Sequence, residues 1–214
     1  MNKKMYLILI LAITLAGCKT AYYSVMEKMG KHKRDILKEN VEEAKEEQGE
    51  ASEQFKDALT KLKEIYAIDG GKLEAAYKKL ESEYEACDER AEQVSEKIDE
   101  MEDVADDLFD EWKDEIKEIS SKNLQKKSKE KLKKTRKKFD VLRDAMKKAE
   151  KRMKPVLTQL KDHVLYLKHN LNAQAIGSLK GEMEDIELEI GKLIEDMNKS
   201  ITEADSFITT LGAS

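Results

Sequence analysis

Proline is almost missing from this sequence, one residue in 214, and glycine appears only nine times. A chain so poor in helix breakers is not the material of a mixed α/β domain or a turn-rich sheet protein. Histidine occurs three times and cysteine twice, too few cysteines for a disulfide framework. Aromatic residues make up 6% and no apolar run reaches the ~20 residues that cross a bilayer. What the chain does have is charge, at 40% of residues, interleaved with 40% apolar residues. That much charge is compatible with disorder, but the strict spacing of the apolar residues argues for long helices.

The first residues form a targeting segment and are set aside before the fold is considered. Lys3 and Lys4 give a positive start, and Met5 to Leu15 give a short apolar run. It ends in Leu15-Ala16-Gly17-Cys18, which resembles the lipobox of bacterial lipoproteins. Small residues before Cys18 let the backbone enter a peptidase site, and the Cys18 thiol would accept diacylglycerol. Residues 1–17 are therefore expected to be a signal peptide, with 18–214 as the mature chain. By the sorting rule of such lipoproteins, Lys19 in place of Asp resembles an outer-membrane address. A thioether at Cys18 leaves Cys87 without a partner, and Cys87 falls on a core position, where it reads as a small hydrophobe.

From Leu73 the sequence becomes a heptad. Leu73, Tyr77, Leu80, Tyr84, Cys87, Ala91, Val94, Ile98, Met101, Ala105, Leu108 and Trp112 alternate steps of four and three. Such a stripe packs along partner helices in a left-handed supercoil. A preceding stripe from Leu37 to Ile65 carries one polar member, Gln48, and ends at the turn Asp69-Gly70-Gly71. A third runs from Leu132 through Thr135, Phe139 and Met146 to Leu171, passing Pro155 in phase. That continuity predicts a kink at Pro155, with a break into a shorter third and longer fourth helix as the alternative. The fourth stripe is read as Ile176, Leu179, Met183, Ile186, Ile190, Leu193, Met197, Ile201, Ala204, Ile208 and Leu211. The expected fold is all-α: an elongated, antiparallel, coiled-coil-like bundle of three to four long helices. Their expected bounds are about 23–67, 71–120, 123–171 and 175–211, with the last turn near Asn170 to Gly177.

Charge points the same way. Lys122 to Lys154 holds sixteen Lys/Arg against four Asp/Glu, a net of +12. Folding back near Ser121 sets residue i opposite about 242 − i, so the facing segment is Asp88 to Ser120, with fifteen acids and four bases, a net of −11. The two cancel across an antiparallel pair, where flanking charges fix register more than stability. The competing reading is a free basic surface for an anionic partner. A smaller cluster, Lys28, Lys31, Lys33 and Arg34, follows Tyr22 and Tyr23 and is a candidate contact for lipid headgroups.

Chemistry is not visible. His163 and His169 are six residues apart and do not share a helix face as a metal pair would, and no phosphate loop, nucleophile elbow or dinucleotide fingerprint occurs. The polar patch Lys168, His169, Asn170, Asn172 and Gln174 reads as a helix end. No catalytic residue, metal, cofactor, small-molecule substrate or nucleic-acid partner is expected.

Several stretches carry a resemblance: Cys18-Lys-Thr-Ala-Tyr-Tyr23 on to Lys31-His-Lys-Arg-Asp-Ile-Leu37, the Asp69-Gly70-Gly71 turn, Val164 to Ala173, and Glu203 to Ile208. Together they resemble an uncharacterised family of proteobacterial lipoproteins, the domain of unknown function DUF 2959. The likeness spans essentially the whole chain. It implies a periplasmic lipoprotein and no activity, so only the lipidated Cys18 carries over. The expectation is a non-catalytic structural or adaptor lipoprotein, held to the membrane by its lipid and meeting envelope proteins. A membrane-binding or membrane-shaping helical module is the alternative. The chain ends Gly212-Ala213-Ser214 without a terminal Lys, unlike the murein-bound lipoprotein that resembles this plan.

Overall fold

The computed structural model describes residues 32–67, 73–170 and 172–212, and these are almost wholly helical. The helices are α1 (Lys33–Tyr66), α2 (Leu73–Glu118), α3 (Lys122–His169), a short α4 (Ala173–Lys180) and α5 (Met183–Gly212). At 1.5 Å per residue α2 and α3 are each about 70 Å long, α1 about 50 Å and α5 about 45 Å. Cys18, Lys28, Lys31 and the Asp69 to Gly71 turn lie outside the described residues.

Each long helix packs on two neighbours. α1 lies against α2 and α5, and α3 against α2 and α5. Polar contacts fix the direction of every pair as antiparallel. Arg90 and Lys97 of α2 reach Glu47 and Glu43 of α1. Ser95 of α2 donates to Glu150 of α3, while Trp112 donates to Ser128 nearer the turn. Lys45 and Lys63 of α1 meet Asp205 and Glu187 of α5. The result is an up-down-up-down four-helix bundle.

The seams close as the heptads require. Leu37, Val41, Phe55, Leu80, Cys87, Val94, Ile98, Leu142, Met146 and Leu193 are all fully buried. Because each helix faces two others, its buried strip is wider than a two-stranded seam. Val104 and Phe109 on α2 and Phe207 on α5 are buried beside the expected row. Phe139 binds these helices together, with its ring centroid 5.6 Å from that of Phe109 and 5.5 Å from that of Phe207.

Two expectations need correction. The seam of α5 passes through Ser200 and Phe207, not Ile201 and Ile208, which are only half-buried. The 4-3 alternation therefore runs unbroken from Ile186 to Leu211, with a polar residue inside it. Ser200 fits because it donates to the side-chain oxygen of Gln48, whose amide donates to the Met146 carbonyl at 3.4 Å. Secondly, the fourth helix does not start near 175. α4 covers the far end with Ile176 and Leu179 buried, and the chain turns again at Gly181-Glu182 before α5. Gly177, expected in the turn, sits inside α4. By contrast, α3 runs through Pro155 as one helix, as its unbroken stripe predicts, and the alternative of a break there is excluded. Pro155 is exposed, so the carbonyl that loses its helical donor is on the side where water can replace it.

Candidate functional site

The ends of the bundle differ. At one end lie the start of α1, the finish of α5 and the α2–α3 turn. Lys33 Nζ is 3.3 Å from Glu111 Oε2, and Leu211 lines a cleft of about 190 Å³ with Arg34, Trp112 and Lys131. α1 and α5 thus stop level with Glu111 and Lys131, and α2 and α3 continue past them as a two-helix hairpin. Ser121 caps α3, its Oγ accepting from the Leu124 N–H at 3.4 Å. Within the projecting part Ile116 is buried, whereas Leu124 is 56% exposed because no helix covers it.

The hairpin's charges are only partly matched. Arg136 lies near Asp106, the residue that the expected register puts opposite it, at 3.9 Å. Arg143 meets Glu102, and Lys147 meets Asp99 at 2.7 Å and Glu102 at 3.3 Å. Burial disfavours the charge on Lys147, but these acids outweigh it and raise the ammonium pKa. Further along, α3 turns its bases to α5. Lys148 and Arg152 converge on the buried Asp196 at 2.6 and 2.8 Å. Burial alone would raise the Asp196 carboxyl, and the two donors hold it below the usual carboxylate range.

Towards the turn the pairing stops. Lys122, Lys126, Lys127, Lys129, Lys133, Lys134 and Lys137 are exposed, and none has an ion-pair partner among the described residues. Near-cancellation of the +12 segment is the expectation from register, with a free basic surface as the alternative. Cancellation fails here because α2 covers one flank of α3, and lysines on the opposite side cannot reach it. A groove of about 690 Å³ opens between these turns of α3 and the last turns of α5, lined by Lys134, Lys138, Asp205, Ser206, Thr209 and Thr210.

The sequence candidates fall as follows. Lys33 is drawn onto α2, with 15% of its side chain exposed, while Arg34 is half exposed 4.0 Å from Asp35. His32 begins α1, its backbone N–H donating to Asp35 Oδ2 at 3.2 Å. His163 is buried with Nδ1 2.8 Å from the Gln159 carbonyl, so that nitrogen carries the proton. Cys87 is buried and free, and burial pushes its thiol up to about 12. Among the described residues no group of His, Cys, Asp and Glu is arranged to hold a metal, and no helix is long and apolar enough to cross a membrane.

A family model described as a protein of unknown function (DUF2959) matches residues 22–211. The chain belongs to that family. No curated protein and no solved structure matches it. The DUF2959 match takes in the hairpin and all five helices but the last residue of α5, so the basic end lies within the family's domain.

Proposed function

We propose that this DUF2959 protein is a lipid-anchored, non-catalytic component of the cell envelope, held through Cys18 to the periplasmic face of the outer membrane. In this reading the bundle is a stiff adaptor that offers helix faces and its far end to envelope proteins. The observation that carries it is Leu15-Ala16-Gly17-Cys18 behind a charged start and a short apolar run. Two acyl chains or more on one residue would make the attachment stable. The bundle suits the role, because α1 starts at one end and seams about 70 Å long hold the other end away from it.

The N-terminal peptide of the protein isolated from cells tests the anchor by mass spectrometry. Diacylglyceryl Cys18 is expected, with Cys18→Ala left as precursor. An unmodified mature chain starting at another residue would reject it. For the adaptor role, photo-crosslinking side chains at the exposed Leu165, Tyr166 and Leu188 should give discrete protein adducts in cells. No adduct at any of the three would remove that part of the reading.

A further inference from the structure

The unpaired lysines are not scattered. Lys122, Lys126, Lys129, Lys133 and Lys137 follow one another at steps of four and three, so they form a single stripe along α3. It lies on the side away from Thr135, Phe139 and Leu142, which pack into the core. Glu130 is the only carboxylate between Lys122 and Lys138. Folding alone gives no reason for this arrangement. Like charges one turn apart repel, and cations in the opening turns of a helix oppose its dipole. The first turn of α3 has no acidic residue. An anionic surface would reverse both penalties.

We propose that this lysine stripe is a docking face for the anionic phospholipid surface of the membrane that holds the tether. The orientation rests on the anchored reading above; the charge argument does not. Three observations choose a lipid surface. The stripe is at the end of the bundle where α1 begins, and the fourteen Cα-to-Cα steps from Cys18 to His32 span at most about 50 Å. Acidic α2 is the other arm of the hairpin, with Asp106, Asp110 and Asp114 exposed, so contact is one-sided and the bundle leans onto α3. Beside the stripe, the groove with Lys134, Lys138 and Ser206 supplies ammonium and hydroxyl donors that fit phosphate oxygens, with Asp205 as its one acid.

The full lipidated chain tests this when reconstituted in vesicles of phosphatidylcholine alone or with 30% phosphatidylglycerol. Asn123→Cys, beside the stripe, carries a polarity-sensitive thiol dye, and buried Cys87 does not compete for it. On anionic vesicles in low salt the dye should shift to the blue and be quenched by quencher-bearing lipids at least fivefold more than on neutral vesicles. About 0.5 M salt should abolish the difference. Replacing Lys122, Lys126, Lys129, Lys133 and Lys137 with Gln, which keeps helix propensity, should abolish it too while leaving helical content unchanged. Equal quenching on both vesicle types, or no loss in the five-Gln chain, would overturn the proposal. So would a dye that stays in water on anionic vesicles while the lysines are shielded from an amine reagent in cells, which would mean an acidic macromolecule instead. Failure of the anchor reads out separately, as loss of flotation with neutral vesicles. In that case salt-sensitive flotation with anionic vesicles alone still supports the docking face, and its absence overturns it.

Discussion

At the scale of single residues the core contains a small polar device. Gln48 and Ser200 are fully buried and hydrogen-bonded to each other across α1 and α5. An unpaired buried acceptor costs about 1–3 kcal/mol, while replacing both partners with apolar groups is close to neutral. Ser200→Ala should therefore lower the urea stability by that amount, and Gln48→Leu added to it should restore most of the loss. Additive losses would show that the pair does not couple. Asp196 gives a pH signature. Its folded carboxyl is held below the usual carboxylate range by Lys148 and Arg152, so the stabilisation is complete above the unfolded pKa and fades as pH falls through the folded one. Stability should drop below about pH 4, and Asp196→Asn should flatten that drop while lowering stability near neutrality. An unchanged acid slope in the variant would count against the Lys148–Asp196–Arg152 cluster. Cys87, with its thiol pushed up to about 12 by burial, should stay unlabelled by a thiol reagent at pH 8 until denaturant is added.

At the scale of elements, proline carries a prediction and the heptads carry a lesson. Pro155→Ala returns one backbone hydrogen bond to an exposed position of a continuous helix. It should raise stability by about 1–3 kcal/mol, whereas a fall would mean that α3 needs the proline's bend. The phase of α1, α2 and α3 was legible because consecutive seam residues are apolar and breakers are rare. α5 was not, since Ser200 is polar and Ile201 stands next to it. A hydroxyl qualifies for the core only when its acceptor is known, and that acceptor lies 152 positions earlier. Phe207 was lost with the same slip of phase, whereas Val104 and Phe109 were missed for another reason: a seam of two residues per heptad is too narrow for a helix with two neighbours. The break at Gly181 was hidden because apolar spacing runs in phase from Leu179 through Met183 to Ile186. For the candidate site, the sequence exposed the basic run but not its sorting. Pairing by register takes no account of which side of α3 a lysine occupies.

At the scale of the whole molecule the bundle has four helices through its middle and two at one end. Residues 113–131 bury little besides Ile116, so local opening there is easier than in the body. Amide hydrogen exchange should be faster across that hairpin than across 139–167 of the same helix. Uniform protection along α3 would contradict the change from four helices to two.

The regular seam also makes the bundle a ruler. Seven residues added to each of the four passes at matching levels would return every side chain to its own face and move the two ends about 10 Å further apart. Four residues added to one pass would instead swing one stretch of that helix out of phase with its neighbours. Length in this architecture can change in whole heptads at little cost to packing, so the distance it bridges is a quantity that selection can adjust separately from the fold.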